Sequence, residues 1–290
     1  MDIQKLRNFG RKKLIENNVE DSNFKSEILL QHILNMDKTE LIINSKIEVQ
    51  HDLEQRYISY LDEIIEGKPI QYITHKQEFM GLYFYVDENV LIPQPDTEIL
   101  VEKTIRTVTA NNKLLSQNIK ILDLCTGSGA VAISLENYLK NKCNIEIYAS
   151  DISEKAIDVA KRNAKENNAK VKFIISDMFQ NIEENNFDII VSNPPYIEKA
   201  TITTLSKEVQ NEPHLALDGG IDGLDFYRII AKEGYKYLKS GGYILVEIGY
   251  NQKESVSNIF KEYADKYIEI KCVKDLNGQD RVIKINIDKK

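Results

Sequence analysis

The sequence predicts an α/β protein in which a small N-terminal helical bundle precedes a doubly wound, mostly parallel sheet with a C-terminal antiparallel strand. Residues 1–75 carry apolar side chains at helical spacing and show no strand-like alternation. From residue 119 onward, short apolar runs alternate with helical patterns, which indicates βαβ units with right-handed crossovers. The last two predicted strands, 267–273 and 281–287, are separated by a short turn and must therefore be antiparallel.

The N-terminal helical domain is predicted to span residues 1–75. Its clearest helix, 51–66, has an amphipathic stripe, and Gly67 and Pro69 follow where a helix ends. Such a stripe normally packs into a core. The bundle could also serve as a docking module for a macromolecular substrate.

Residues 76–93 are predicted to form a β-hairpin that links two domains. Apolar and aromatic side chains alternate over 82–86, turn residues follow at 87–89, and an apolar run resumes at 90–92. The second domain, 94–290, begins with a helix for which Asp96 is the expected N-cap. A polar loop is expected at 111–118. The remaining elements are predicted as strands 119–124, 145–150, 171–175, 187–192 and 243–248, and helices 130–139, 154–167 (capped by Ser153), 222–238 and 252–263.

Composition and charge exclude several classes of protein. The formal net charge of −7 gives no general attraction to nucleic acid, although a local basic patch stays possible. Three cysteines and four histidines are scattered without disulfide or zinc-ligand spacing. The N-terminus lacks an apolar signal region, and no apolar run approaches the ~18 residues of a membrane span. We expect a soluble, cytoplasmic protein with no metal and no membrane partner.

A glycine-containing loop joins the first strand of the second domain to its helix. Gly127 and Gly129 allow a tight turn and close approach of the backbone to a ligand, and the helix N-terminus supplies N–H donors. The loop lacks the full G-x-G-x-x-G pattern. A nucleoside-type ligand is one interpretation, and a plain glycine turn is the other.

Two acidic residues follow the next two strands. Asp151 lies at the tip of the second strand, about 20 residues after the glycine loop, where an acid accepts hydrogen bonds from ribose hydroxyls. Asp177 follows the third strand and could accept from an adenine amino group, with Met178 or Phe179 against the ring. Asp177 could instead cap a turn.

Asn193-Pro194-Pro195-Tyr196 follows the fourth strand, at the edge where open α/β sheets bind ligands. The Asn193 side-chain oxygen and the Pro194 carbonyl are two acceptors for an NH2 group. Tyr196 could pack against that group, although it could also be purely structural. A proline-stiffened turn is the simpler interpretation of the tetrapeptide taken alone.

The order of these features predicts a class I S-adenosylmethionine-dependent methyltransferase that acts on nitrogen. An amide or exocyclic amine nitrogen is a poor nucleophile because its lone pair is delocalised. Two acceptors that hold its N–H bonds would favour a pyramidal nitrogen with the lone pair directed at the cofactor methyl group. Positioning and electrostatic preorganisation, without a histidine base, would then carry the reaction.

With these residues in hand, the chain closely resembles the peptide chain release factor glutamine methyltransferases, the PrmC/HemK family, over about residues 67–285. The matching stretches are GKPIQYI at 67–73, LIPQPDTE at 91–98, the glycine loop, SNPPYI at 192–197, EPHLAL at 212–217, DGG at 218–220, DGL at 222–224, GG at 241–242, EIG at 247–249 and Gln252. Two departures from the family pattern stand out: Gln94 replaces the usual arginine, and Met178 replaces a bulkier residue.

The resemblance implies N5 methylation, by S-adenosyl-L-methionine, of the glutamine in the Gly-Gly-Gln motif of class 1 release factors. It implies that Asn193, Pro194 and Tyr196 are catalytic. The implied cofactor contacts are Thr126, Gly127, Ser128, Gly129, Asp151, Asp177, Met178 and Asn193. The implied glutamine contacts are Asn193, Pro194, Pro195 and Tyr196.

Two other functions share parts of this pattern. A nucleic-acid adenine or guanine amino-methyltransferase has the same tetrapeptide, but it predicts a basic face and a base-flipping pocket. A non-catalytic protein could retain the fold. The connection 197–221 is long for a compact domain, and we expect it to close over the target glutamine.

Overall fold

The computed structural model describes residues 1–263 and 265–287. By its internal contacts the chain divides into two compact units. The helical unit comprises residues 1–76 and 205–211, and the sheet unit comprises the rest of the described chain. The second unit is therefore interrupted by a short segment that belongs to the first.

From residue 119 onward most strands alternate with helices, although Val171–Ile175 and Phe187–Ser192 follow one another without a helix between them. The helices are α1 (Ile3–Glu16), α2 (Ser22–Leu34), α3 (Lys38–Ile43), α4 (His51–Ile65), α5 (Ile70–Thr74), α6 (Glu98–Thr109), α7 (Asn112–Leu115), α8 (Ala130–Leu139), α9 (Glu154–Glu166), α10 (Lys207–Gln210), α11 (Asp225–Tyr237) and α12 (Lys253–Lys261). The strands are β1 (Gln77–Phe79), β2 (Leu82–Phe84), β3 (Ile119–Leu124), β4 (Ile145–Asp151), β5 (Val171–Ile175), β6 (Phe187–Ser192), β7 (Leu238–Glu247), β8 (Tyr267–Lys274) and β9 (Asp280–Ile287). Short 3-10 turns lie at Pro95–Thr97, Ile202–Thr204 and His214–Ala216.

The helical unit has an apolar core formed by one stripe from each of its longer helices. Leu6, Leu29, Tyr57 and Leu61 are fully buried there, and the Tyr57 hydroxyl donates to the backbone oxygen of Ser26 at 3.0 Å. Burial of these stripes accounts for the helical spacing of apolar residues within 1–75.

The segment 205–211 is joined to the helical unit by polar contacts. The buried Lys25 side chain forms an ion pair with Glu208 of α10. The Asn211 side chain donates to the backbone oxygen of Gly67 at 3.1 Å. These contacts explain why residues 205–211 belong to the helical unit although their neighbours in sequence belong to the sheet unit.

The sheet unit is built on a seven-stranded sheet with the order β5-β4-β3-β6-β7-β9-β8. All neighbouring pairs are parallel except those made by β9, which is antiparallel to both β7 and β8. This arrangement confirms the predicted fold, a doubly wound and mostly parallel sheet with a C-terminal antiparallel strand. The chain order reverses between β3 and β6, so the switch point lies at their carboxyl ends.

Apolar residues on both faces of the sheet explain its stability. Every residue of β6 is buried, as expected for a central strand covered by helices. Along β6, Ile190 faces the cluster that includes Tyr227 of α11, whereas Ile189 faces the cluster that includes Leu135 of α8. The alternation follows from the two-residue period of a strand.

A hairpin is present within residues 76–93, but its strands and its turn lie at other positions than predicted. β1 and β2 pair through the turn Met80-Gly81, and residues 90–92 form no strand. Both turn residues have positive φ, at 52° and 68°, which suits a tight two-residue hairpin. The alternation over 82–86 therefore marked one strand and its exit, and the turn lay before it. The hairpin belongs to the sheet unit, where Phe79 and Phe84 are buried.

Three smaller expectations need correction, and one is confirmed. Asp96 is not an N-cap: it lies in the 3-10 turn Pro95–Thr97 and pairs with Arg281 at 2.8 Å. The expected loop at 111–118 contains α7, which the Asn111 side chain caps. Helix α11 begins at Asp225, later than the predicted 222. The predicted cap is confirmed, because the Ser153 side chain accepts from the backbone N–H of Ala156. No helix in the described part of the chain is both long and apolar enough to cross a membrane.

Candidate active site

A cavity of about 340 Å³ opens at the carboxyl ends of β3, β4, β5 and β6. This volume lies within the usual range for small-ligand sites. It is lined by residues 88–91, 150–153, 176–178 and 213–216, with Cys125, Gly127, Ala156, Asn193, Pro195 and Phe226. The predicted loops after four consecutive strands of the sheet therefore meet at one place.

The loop after β3 is held by buried polar contacts. The Thr126 hydroxyl donates to Asp123 Oδ2 at 2.6 Å. Burial raises the pKa of Asp123 to about 7, against the opposing effect of this hydrogen bond. Thr126 and Ser128 are themselves buried and line a smaller neighbouring pocket of about 50 Å³. Their side chains therefore shape the loop and do not line the main cavity.

The two glycines of this loop differ in what surrounds them. At Gly127, with φ of 53°, a Cβ atom would meet nothing within 4 Å, and the residue lines the cavity. At Gly129, with φ of 81°, a Cβ atom would lie 2.9 Å from Ile133 and 3.1 Å from Ala160. Gly127 thus leaves space for a ligand, whereas Gly129 allows α8 and α9 to pack closely.

Asp151 lies at the tip of β4 and lines the cavity. Its Oδ2 accepts from the Gly127 N–H and its Oδ1 from the Ser153 N–H, both at 2.9 Å. Burial raises the pKa of Asp151, and these two N–H donors counteract the rise. Each carboxylate oxygen has a second lone pair, so the group retains capacity for the two hydroxyls of a ribose.

Asp177 and Met178 line the cavity beyond Asp151. Asp177 Oδ2 accepts from the Gln180 side chain at 2.9 Å, so this carboxylate also supports its own turn. Met178 has φ of 47°, and its sulfur lies 3.8 Å from Cys125 Sγ, where it forms part of an apolar wall. Phe179, the alternative ring contact, instead stacks on Tyr237 in the core.

The Asn193-to-Tyr196 loop presents acceptors at the cavity. Asn193 Nδ2 donates to Thr97 Oγ1 at 3.1 Å, and this contact occupies the donor end of the amide. Neither Asn193 Oδ1 nor the Pro194 carbonyl accepts a hydrogen bond from the residues that the structure describes. Asn193 and Pro195 line the cavity, and buried Pro194 and half-buried Tyr196 are their neighbours in the same loop. Burial raises the pKa of the Tyr196 phenol, so it stays protonated.

Gln252 and the glycine-containing segment 219–223 contact the backbone of this tetrapeptide. Gln252 Nε2 donates to the Tyr196 backbone oxygen at 2.9 Å, and its Oε1 accepts from the Gly249 N–H at 3.0 Å. A Cβ atom on Gly223 would lie 2.4 Å from the Tyr196 oxygen. Only glycine fits so close to that backbone, which gives a physical reason for the DGL stretch.

The sequence reasoning assigned no role to Thr97, Glu247 or Arg281. Glu247 ends β7 and is only 2% exposed. Burial raises its pKa to about 7, although hydrogen bonding to Thr97 and the charge of Arg281 lower it. The available signal was positional: an acidic residue at the carboxyl end of a central strand lies at the same edge as the ligand site.

Comparisons with known proteins identify first the class of this protein. Residues 98–220 match the family model "Methyltransferase small domain", and residues 5–74 match "PrmC N-terminal domain". A methyltransferase of Pyrococcus furiosus aligns with a TM-score of 0.52 at 21% identity, over 80% of this chain and 99% of its own. At that identity the likeness shows the fold alone. The chain has the class I S-adenosylmethionine-dependent methyltransferase fold.

Closer relatives define the family. The release factor glutamine methyltransferase of Clostridium acetobutylicum is 42% identical over 89% of both chains. The one from Streptococcus pneumoniae is 37% identical over 91% of this chain and 96% of its own. The chain belongs to the family of release factor glutamine methyltransferases.

Proposed function

We propose that this protein transfers a methyl group from S-adenosyl-L-methionine to the side-chain nitrogen N5 of the glutamine in the Gly-Gly-Gln motif of class 1 release factors. The observation that carries the proposal is the pair of acceptors, Asn193 Oδ1 and the Pro194 carbonyl, beside a nucleoside-sized cavity. Membership of the glutamine methyltransferase family narrows the nitrogen from a nucleobase amine to a side-chain amide.

The residues of the cavity fit the proposed cofactor in size and in chemistry. Asp151 can hold the ribose hydroxyls, Asp177 can accept from the adenine amino group, and Met178 supplies an apolar wall. Gly127 leaves room for the amino-acid part of the molecule. Bound S-adenosylmethionine supplies an activated methyl group.

Asn193, Pro194 and Tyr196 act on the other reactant. Two acceptors take the two N–H hydrogens of the glutamine amide, which draws the nitrogen lone pair out of conjugation with its carbonyl. Because both acceptors are already fixed in place, little reorganisation is needed as charge develops on the nitrogen. Tyr196 and Pro195 provide a rigid wall for the side chain. The methylated nitrogen is cationic and releases its proton without a dedicated base.

We also propose that the helical unit docks the body of the release factor, and that the reaction takes place in the cytoplasm. Ile42 and Ile43 of α3 and nearby Ile47 are each more than half exposed. A group of exposed apolar side chains on one short stretch is a common feature of protein-binding surfaces. Replacing Ile43 by aspartate should raise KM for the release factor and leave S-adenosylmethionine binding unchanged.

Tritiated S-adenosylmethionine tests the proposed reaction. The protein is incubated with a class 1 release factor, with the same factor carrying Gln→Ala in its Gly-Gly-Gln motif, and with tRNA, rRNA and DNA. We expect label on the intact factor alone. Label on nucleic acid, or on the factor that lacks the glutamine, would overturn the proposal and favour an amino-methyltransferase of nucleic acid.

A further inference from the structure

Two walls of the cavity come from parts of the chain that are far apart in sequence. Residues 88–91 form one wall and residues 213–216 form the other. A hydrogen bond joins the chain next to these walls: the backbone N–H of Ile92 donates to Glu212 Oε2 at 2.9 Å. Both residues are buried, with 5% and 8% of their surface exposed, and both belong to the sheet unit. Glu212 therefore connects the two walls directly.

The backbone around Ile92 requires such a partner. Residues 90–92 form no strand, so this N–H does not belong to a ladder. Pro93 and Pro95 follow, and proline has no N–H with which to continue one. A buried backbone N–H is costly unless it is paired. Side chains satisfy this stretch instead, because Glu212 accepts from the Ile92 N–H and the Gln94 side chain donates to the Ile92 oxygen at 3.1 Å.

The wall 213–216 is a compact turn that is held at both ends. The last N–H of the turn donates to its first backbone oxygen at 2.8 Å. Directly after the turn, the Leu217 oxygen accepts from the Ile197 N–H at 3.0 Å. Ile197 follows the Asn-Pro-Pro-Tyr loop. The wall is therefore tied to that loop at one end and, through Glu212, to residues 88–92 at the other.

The bond between Glu212 and Ile92 is suited to fixing the shape of the cavity. A hydrogen bond to an ionised carboxylate is stronger than one to a neutral oxygen, and burial keeps water from competing for it. Without this bond the two walls would be ordered only when the cofactor binds. Ordering of loops on binding is subtracted from the affinity, whereas walls that are already in place avoid that cost.

We propose that Glu212 is a positioning residue for S-adenosylmethionine, which holds the two walls of the cavity at the spacing that the cofactor requires. It acts through the Ile92 backbone and through the wall 213–216, and it is not itself a lining residue. The inference rests on the proposed function in one respect, the location of the cofactor in this cavity.

Three substitutions at Glu212 separate the reach of the side chain from its charge. Glu212→Ala removes the acceptor, Glu212→Asp keeps the charge on a shorter side chain, and Glu212→Gln keeps the length and an acceptor oxygen without the charge. We expect the Kd of S-adenosylmethionine, measured by calorimetric titration, to rise about 10- to 100-fold in Glu212→Ala and Glu212→Asp. Glu212→Gln should stay within about three-fold of wild type.

Two results of this titration would overturn the inference. One is a wild-type Kd in Glu212→Ala or in Glu212→Asp. The other is a Kd in Glu212→Gln that is as high as in Glu212→Asp, because the charge and not the bond would then matter. If Glu212→Ala does not fold, the aspartate and glutamine variants make the same comparison.

Glu98→Ala is the matched control. Glu98 Oε1 accepts from the backbone N–H of Met80 at 2.6 Å, so it makes the same kind of side-chain-to-backbone bond, but neither residue lines the cavity. We expect a lower Tm in both alanine variants and a raised Kd in Glu212→Ala alone. An equal rise of Kd in both would mean that affinity follows general stability, and it would overturn the assignment.

Amide exchange reports the bond itself, without any reaction. In protein labelled with 15N-isoleucine, the Ile92 amide, assigned by its loss in Ile92→Val, should exchange slowly in wild type and in Glu212→Gln. In Glu212→Asp it should exchange about ten-fold faster or more, with the Ile190 amide of β6 unaffected. Equal Ile92 rates in all three proteins would overturn the inference. The expected Kd values and exchange rates in a protein that methylates no release factor would overturn the proposed function alone.

Discussion

The two ends of the Asn193 side-chain amide face different groups in this site. Its nitrogen is committed to Thr97, and its oxygen lies at the cavity that we assign to the cofactor. Removing the side chain deletes one of two acceptors for the substrate nitrogen and leaves Asp151 and Gly127 unchanged.

Asn193→Ala should therefore lose activity far more than cofactor binding. We expect kcat to fall about 100- to 1000-fold, the usual loss when one preorganised hydrogen-bonding group at a reacting centre is removed. The Kd of S-adenosylmethionine, measured by calorimetry, should rise less than about five-fold. Equal losses in kcat and in affinity would mean that Asn193 mainly holds the cofactor.

Glu247 should make the protein less stable at alkaline pH. Burial raises its pKa from an ordinary value of 4.5 to about 7, so the folded state binds more protons than the unfolded state between these values. The free energy of unfolding therefore decreases as the pH rises from about 4.5 to 7 and stays lower above. Glu247→Gln removes this penalty.

The Tm of Glu247→Gln relative to wild type should thus be higher at pH 8 than at pH 5. Differential scanning calorimetry at the two pH values measures the change. An identical Tm difference at both pH values would show that Glu247 does not carry the shifted pKa.

Among the elements, the loop between β3 and α8 offers a sharp comparison of two glycines. Gly127 and Gly81 both have positive φ, at 53° and 68°, and a Cβ atom would meet nothing within 4 Å at either. Alanine at either position should cost about 1 kcal/mol in backbone strain. Only Gly127 lines the cavity.

Gly127→Ala should therefore raise the Kd of S-adenosylmethionine about ten-fold or more, whereas Gly81→Ala should leave it unchanged, with similar small losses of Tm. Calorimetric titration of both variants measures the difference. Comparable affinities in the two would mean that the cofactor does not approach this loop.

The long connection after the Asn-Pro-Pro-Tyr loop should respond to ligands. Residues 213–216 line the cavity, and Leu215 is about half exposed. With S-adenosylmethionine and a release factor bound, limited proteolysis within 197–221 should slow at least several-fold. Cleavage at an unchanged rate would argue against closure of this segment over the glutamine.

Sequence patterns were sufficient for the main elements because each reports a local requirement. The βαβ alternation, the buried run of β6 and the carboxylates after β4 and β5 all follow from strand period and chain order. The Met80-Gly81 turn was missed because the aromatic alternation after it was the stronger local signal. Thr97 precedes Asn193 by 96 residues, so their contact depends on tertiary structure and could not be read from the sequence.

At the scale of the whole molecule, the stability of the helical unit depends on a residue from the second half of the chain. Lys25 is buried and pairs with Glu208. Removing one member of a buried ion pair leaves an uncompensated charge. Because Glu208 is partly exposed, water compensates some of that cost, and we expect Glu208→Ala to lose about 1–2 kcal/mol.

Hydrogen exchange followed by mass spectrometry can locate this loss. Amides of α2 should exchange faster in Glu208→Ala, and those of β6 should be unaffected. Glu20→Ala, which removes an exposed glutamate of the same unit, is the control. Faster exchange throughout both units, or none in α2, would contradict the assignment.

The place of α10 in the helical unit has a consequence for the order of events during synthesis. A nascent chain that has emerged only to residue 76 has five of the unit's helices, but it lacks Glu208 and Asn211. Lys25 and the Gly67 carbonyl then lack these partners until the ribosome has added β1 to β6 and the segment that follows. We expect the first segment to be translated to reach its final stability only after most of the sheet has been made, against the usual rule that N-terminal domains fold first.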